Sequence, residues 1–234
     1  DPGLVSRAVN SNHEMYSGGN AYFDDTLPAF GQDASYFAVA NDHWLLVGLD
    51  TAYEDHDMDE RQVAWLKAVL ALPEAGHKKV VLFSHQQLFS RFESQGWKLA
   101  QDDRLGSLLR AGRVTAWYWG HEHRCCIYER HAGFGGLLAR CIGHSGMPES
   151  RKEAGKLPVE HAVHSLQDPM EWRRFEATEP SKGGQPLHVP RGLVLDGPNR
   201  YIPGEADRFA PNGYAVLEFN GPDLVEKVLT ADGG

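Results

Sequence analysis

The stretch Val114-Thr115-Ala116-Trp117-Tyr118-Trp119-Gly120-His121-Glu122-His123 carries the clearest signal for the fold of this chain. Its first six residues are mostly apolar, aromatic or β-branched, which predicts a buried strand, and Gly120 predicts a sharp turn where that strand ends. On an extended backbone, side chains two residues apart share a face, so His121 and His123 can point at one place. Two converging imidazoles at a strand end suit a transition metal, although two ordinary surface histidines on a turn would produce the same pattern.

Strand and helix patterns alternate on both sides of this stretch. Apolar, β-branched and aromatic runs predict strands, and apolar residues at helical spacing predict helices. A last pair of runs, joined by Asn220-Gly221, predicts a closing β-hairpin. The alternation predicts an α/β layered fold. The predicted strands cover residues 36–40, 44–49, 79–83, 114–119, 125–129, 137–142, 214–219 and 224–229, and the predicted helices cover residues 59–72 and 105–109.

Residues 146–210 differ from the rest of the chain, because they hold most of its thirteen prolines and few periodic apolar positions. We expect a loop-rich insertion there, with one short helix near Pro169 to Phe175. A stretch of this length inside a compact domain is usually functional, for example as an active-site cover. The predicted organisation is a core at residues 1–145, an insertion or lid at 146–210, and a closing hairpin of the same domain at 211–234.

Composition limits the partners and the compartment of the protein. The 234 residues carry a net charge of −9, which argues against binding to extended nucleic acid. No apolar run approaches the roughly 18 residues of a membrane span. Cys125, Cys126 and Cys141 are three in number and cannot all pair within one chain. Reduced thiols packed in strands favour a cytoplasmic location, with a Cys126–Cys141 bridge as the alternative.

Histidines stand at two further places in this pattern. Asn12-His13-Glu14 precedes the flexible Ser17-Gly18-Gly19, and His85 comes just after the apolar strand that ends at Phe83. The carboxyl ends of strands are where α/β folds place their ligand sites. A single strand-end histidine is most often structural, but three such places in one chain favour a functional site.

In this order the three elements resemble the calcineurin-like metallophosphoesterase family. The signature of that family is D-x-H, then G-D, then G-N-H-E, then a strand-end histidine, then G-H-x-H. Its last three elements match Ser11-Asn12-His13-Glu14, His85 and Gly120-His121-Glu122-His123, and the resemblance covers roughly residues 10 to 145. It implies a fold of two packed β-sheets flanked by helices. It also implies hydrolysis of a phosphoester, either a monoester or a diester, by metal-activated water.

The resemblance implies a dinuclear metal site. Asn12, His85 and His121 would bind one divalent ion, and His123 would bind the other. His13 would face the phosphate of a small phosphorylated substrate and would protonate or stabilise the leaving oxygen. Mixed nitrogen and oxygen ligands admit manganese, iron, zinc, nickel or cobalt.

Two more residues are candidates for the substrate side of this site. Glu14 would orient local structure beside the substrate rather than bind metal. His144 lies between Gly143 and Ser145 after a predicted strand, so it could line the site, and a hydrogen-bonded loop histidine is the alternative.

Two departures from the family signature bear on the expected activity. Ser11 replaces the usual glycine, which matters little if φ there is negative. The D-x-H and G-D elements, which supply the carboxylates of the metal site, do not occur in the chain. Since only eleven residues precede Asn12, we expect those elements upstream, together with the first strands of the fold.

An α/β fold that lacks its first strands exposes a strand edge. Such an edge would recruit an N-terminal fragment or a second chain that completes the sheet. The chain alone would then be inactive. The alternative to an enzyme is a truncated or degenerate metallophosphoesterase-like binding module without catalysis.

Overall fold

One mixed sheet of nine strands organises the residues that the computed structural model describes, which are 4–51, 56–164, 169–180 and 187–231. Across the sheet the strands lie in the order β1-β2-β3-β4-β6-β5-β9-β8-β7. In chain order they are β1 (Phe37–Ala40), β2 (Trp44–Leu49), β3 (Lys79–Ser84), β4 (Val114–Trp119), β5 (Cys125–Tyr128), β6 (Leu138–Ile142), β7 (Val159–His164), β8 (Pro169–Phe175) and β9 (Gly192–Asp196).

The sheet has two halves that differ in strand direction. β2, β3, β4 and β6 run parallel and form the parallel half, with β1 added antiparallel at its edge. β5, β9, β8 and β7 pair antiparallel with their neighbours and form the antiparallel half. Parallel neighbours need a crossover connection, usually a helix, and the chain supplies one between β2 and β3.

That helix, α3 (Glu60–Ala71), shows how the sequence sets its ends. The Asp59 carboxylate caps it by accepting a hydrogen bond from the Gln62 backbone amide. Leu72 is extended because Pro73 follows it, so the helix stops there. The shorter helices are α1 (Asn12–Met15), a π-helical segment Ala21–Thr26 that continues into α2 (Leu27–Ala29), α4 (Gly106–Arg110), and 3₁₀ turns at Pro73–Ala75, Trp97–Ala100, Ala132–Phe134, Ala154–Lys156 and Ala206–Arg208.

A small second sheet covers part of one face of the main sheet. It is the hairpin of β10 (Gly213–Asn220) and β11 (Asp223–Thr230). The Trp44 ring lies 5.1 Å from the Phe219 ring, centroid to centroid, and Trp44 Nε1 donates to the Gly221 carbonyl at 2.7 Å. These contacts confirm the predicted hairpin and the predicted pair of packed sheets.

The larger apolar core lies on the opposite face of the main sheet. Val63 and Leu66 of α3 and Leu109 of α4 pack there with Leu82 and Trp117 of the central strands. Burying an aromatic side chain such as that of Trp117 removes roughly 150–250 Å² from water. This burial is worth on the order of 4–6 kcal/mol before its entropy cost. The fold is therefore α/β with helices on one face and a small sheet on the other, as predicted.

The expected short helix near residues 169–175 is wrong, since these residues form β8. With β7 and β9, this strand extends the main sheet through the stretch that we expected to be loop-rich. The two-residue period of the strand was hidden because Arg173 faces the same side as the buried Phe175. There Arg173 pairs with the buried carboxylate of Asp196, so a charged residue occupies an inward position.

The expected core, insertion and hairpin also include residues 1–3, 52–55, 165–168, 181–186 and 232–234, which lie outside the described residues. The three cysteines are free and buried, as expected of reduced thiols, and Cys126 and Cys141 face each other across β5 and β6. None of the described helices is long and apolar enough to cross a membrane.

Candidate metal centre

The candidate site forms where β3 and β4 end. These strands are parallel neighbours, so their carboxyl ends meet at the same edge of the sheet. His85 follows β3 directly, and Gly120 to His123 follow β4. The Gly120 backbone amide donates to the His85 carbonyl at 3.1 Å, which ties the two strand ends together. The structure thus brings His85 and His121 together.

Asn12 reaches this edge from α1. Ser11 caps the helix with φ at −128°, so its replacement of the family's glycine causes no strain. Glu14 accepts hydrogen bonds from the amide and hydroxyl of Ser11, which makes it a structural part of the cap. Asn12 is 7% exposed, and its amide nitrogen donates to the Tyr16 hydroxyl at 2.6 Å. That bond leaves Asn12 Oδ1 facing the two histidines.

Three lone-pair atoms converge at this point. Asn12 Oδ1 lies 2.5 Å from His85 Nε2 and 3.3 Å from His121 Nδ1, and the two ring nitrogens lie 3.1 Å apart. Metal bonds of about 2.0–2.2 Å place neighbouring ligand atoms about 3 Å apart. We call these three atoms the ligand trio. Two of their separations, 3.1 and 3.3 Å, fit one side of a divalent ion's coordination shell, and the 2.5 Å separation of Asn12 Oδ1 and His85 Nε2 is a hydrogen-bond contact.

Burial keeps the imidazoles of the trio neutral. Burial, together with the neighbouring His121, His13, His123 and His56, lowers the pKa of His85 to about 3. Burial lowers the pKa of His121 to about 4, with His56, His123 and His13 acting in the same direction. At neutral pH both rings therefore offer the lone pairs that a metal requires.

His13 and His123 form a second pair at the same edge. Their ring centroids lie 5.5 Å apart. Burial lowers the pKa of His123, and His13 adds to this, while Glu149 and Glu93 oppose it. His13 is exposed, so its ring is open to a molecule that arrives from solvent.

The turn that carries His121 and His123 is strained. Both residues have positive φ, 59° and 52°, which costs of order 1–3 kcal/mol for each non-glycine residue. Between them Glu122, 4% exposed, accepts hydrogen bonds from Ser90 Oγ at 2.5 Å and Trp119 Nε1 at 3.0 Å. Burial raises the pKa of Glu122 to about 7, and these hydrogen bonds oppose the rise. The buried carboxyl group therefore fixes the turn against the rest of the core.

Carboxylate ligands do not accompany the trio in the described ranges. There, no three His, Cys, Asp or Glu side chains form a group that could hold a metal ion. The trio consists of two histidines and the amide of Asn12, so it contains only two side chains of these four types.

Comparison with known proteins gives distant structural likenesses only. No protein-family model and no curated protein matches the chain. Among solved structures, the chain is similar to a purple acid phosphatase, PPD1, isolated from yellow lupin (Lupinus luteus) seeds, at 11% sequence identity and a TM-score of 0.47. The match covers 86% of this chain and 31% of that one, so the chain spans about a third of the matched structure's length.

His144 takes a different position from the histidines of the trio. It is 2% exposed, and its carbonyl accepts a hydrogen bond from the Gly213 amide at 2.9 Å, which places it under the start of β10. Burial lowers its pKa to about 4. Its role on the substrate side stays a prediction.

Three residues of this region were not among the site residues that the sequence predicted. His56, in the loop after β2, lies with its ring centroid 6.1 Å from that of His121. Gly143 packs so closely that a Cβ there would lie 2.9–3.0 Å from the Gly120 carbonyl and 3.0 Å from the His123 amide nitrogen. Glu122 is the third. A histidine shortly after a strand is a signal that finds His56, whereas the other two depend on tertiary contacts.

Proposed function

We propose that this chain carries the metal site of a phosphoester hydrolase. The observation that supports this best is the convergence of Asn12 Oδ1, His85 Nε2 and His121 Nδ1 within 2.5–3.3 Å of one another. These atoms would hold one divalent ion, and His123 would hold a second.

Divalent ions bound there would polarise phosphoryl oxygens and lower the pKa of bound water. Asn12, His85 and His121 contribute no negative charge, so they leave the positive charge of the site available to a phosphate anion. Burial of the two rings prevents their protonation at neutral pH, which preserves them as ligands.

His13 is the proposed acid. It is exposed and lies beside His123, so it faces the place where a substrate bound at the site would lie. Its ring would donate a proton to the ester oxygen as that oxygen leaves.

Metal content and hydrolysis should be measured together. In a protein that also carries the expected upstream D-x-H and G-D elements, we expect the wild type with added Mn²⁺ to bind the metal and hydrolyse an aryl phosphate or an aryl phosphodiester. His121→Ala should lose metal binding and at least about a hundredfold in rate. His13→Ala should keep the metal and lose roughly 10²–10⁴-fold in rate.

A matched control is His77→Ala, since His77 is exposed and precedes β3 at the end of the sheet away from the site. It should behave as wild type. Equal metal content and equal rates in wild type, His121→Ala and His13→Ala would refute the site assignment.

The second candidate is a phosphate- or metal-binding module without catalysis. The lack of a carboxylate group in the described part of the metal site favours it, because hard divalent ions bind amide and imidazole ligands weakly without one. This candidate predicts binding of Mn²⁺ and inorganic phosphate by calorimetry with hydrolysis of neither ester.

A further inference from the structure

His56 stands beside the ligand trio, although no motif includes it. Its half-buried ring lies edge-on to that of His121, with centroids 6.1 Å apart. Its φ of 51° is left-handed, a conformation that residues other than glycine rarely adopt. The backbone therefore holds this side chain in an unusual direction, towards the candidate site.

The residues that follow His56 hold it in place. The Asp57 carboxylate accepts hydrogen bonds from the Met58 amide at 2.8 Å and from Arg104 Nε at 3.1 Å. Met58 is 2% exposed, and Asp59 caps α3. The position of the His56 ring is thus fixed by the fold on its carboxyl side.

The ring of His56 lies farther from the ring of His121 than the ring of His85 does. His85 and His121, whose nitrogens meet at 3.1 Å, have ring centroids 5.0 Å apart, whereas His56 and His121 are separated by 6.1 Å. His13 takes a comparable position at 5.5 Å from His123. Two imidazoles therefore flank the proposed ligands, one beside His121 and one beside His123.

We propose that His56 is a substrate-binding residue that donates a hydrogen bond from its ring N–H to a terminal oxygen of a phosphomonoester. This inference rests on the proposed function. The side chains that flank His123 and His121 are the imidazoles of His13 and His56, whose ring N–H groups can donate to an anion. A monoester has three terminal oxygens and a diester has two. With His13 directed at the leaving oxygen, a further donor favours the monoester.

His56→Asn is the variant that tests this role. Asparagine tolerates the left-handed conformation but is too short to reach the same oxygen, and His56→Gln restores length and an amide donor. With Mn²⁺ present, we expect His56→Asn to raise KM for an aryl phosphate roughly tenfold or more and KM for an aryl phosphodiester by under about threefold. The value of kcat and the metal content should stay near wild type. His56→Gln should recover part of the loss, and His77→Ala should show none.

Titration with inorganic phosphate separates this inference from the proposed function. Phosphate affinity should fall in His56→Asn by the same factor as KM rises. The role of His56 would be overturned if the phosphate affinity of His56→Asn is unchanged, or if its metal content falls together with its phosphate affinity. Both outcomes can be read whether or not the wild type is active. A wild type that binds phosphate through His56 but hydrolyses neither ester would contradict the hydrolase alone.

Discussion

The parallel half and the antiparallel half of the main sheet both have polar groups near strand ends, but these groups differ in whether their partners are charged. After β3 and β4, neutral lone-pair atoms of Asn12, His85 and His121 face one another without a charged partner among the described residues. At the end of β9, the fully buried Asp196 lies between Arg151 Nε at 2.6 Å and Arg173 Nε at 2.5 Å.

This difference separates a ligand site from a structural one. The carboxylate of Asp196 is satisfied within the chain, and its pKa is lowered because hydrogen bonds from Arg151, the Gly197 backbone and Arg173 outweigh its burial. In the ligand trio, Asn12 Oδ1 and the two ring nitrogens lie within hydrogen-bonding distance of one another, and a cation would complete the trio in the tautomers that turn lone pairs inwards. Polar residues that pair with an opposite charge therefore predict stability, and neutral ones that converge on one point predict binding.

The largest expected effect lies in the antiparallel half. Asp196→Asn removes the buried charge shared by two partly buried guanidinium groups, so we expect the free energy of unfolding in urea to fall by about 3–5 kcal/mol. Asp42→Asn, at an exposed site, should change it by less than about 0.5 kcal/mol. Metal binding by the folded variant should match wild type. Loss of metal binding in protein that is still folded would break the distinction between the halves.

His144 tests the boundary between the parallel half and the hairpin. Its folded pKa of about 4 lies below the unfolded value of 6.5, so the unfolded chain takes up the proton first as pH falls. The stabilising effect is complete above pH 6.5 and is lost progressively towards pH 4. Between pH 7 and pH 5 the wild type should lose on the order of 2 kcal/mol more than His144→Gln. If the free energy of unfolding changed with pH in the same way in both proteins, His144 would not be held neutral by the fold.

Glu122 tests whether the strained turn supports the trio. Glu122→Ala removes the acceptor for Ser90 and Trp119, and we expect the affinity for Mn²⁺ to fall roughly tenfold, about 1.4 kcal/mol. Glu122→Gln keeps an acceptor for Trp119 and a donor for Ser90, so it should recover most of the affinity. Calorimetry measures both, and an unchanged affinity in Glu122→Ala would show that the turn holds its shape without the carboxyl group.

Local sequence patterns predicted the parallel half well, since its strands are apolar runs and α3 has a cap and a proline stop. The meeting of His85 with His121 was implied by the family resemblance, and the parallel direction of β3 and β4 explains it. β8 was predicted wrongly because Arg173 faces inwards, towards a buried partner 23 residues away in the chain. No local pattern reveals such a pair.

The contributions of His56, Glu122 and Gly143 were not predicted for a related reason. The position of His56 depends on a left-handed backbone and on the ion pair of Asp57 with Arg104. The role of Glu122 depends on Ser90, which comes from another loop. The close approach of Gly143 to His123 appears only when β4 and β6 are neighbours.

The left-handed backbone conformations of His121 and His123 determine when the site becomes ordered. Because Glu122 closes this turn within the core, the chain loses the conformational entropy of the turn when it folds, before any ion arrives. At the proposed site, an ion would then meet a rigid template and would have to shed water without rearranging the backbone. Desolvation and ligand number, rather than the flexibility of the loop, would therefore set the affinity for that ion.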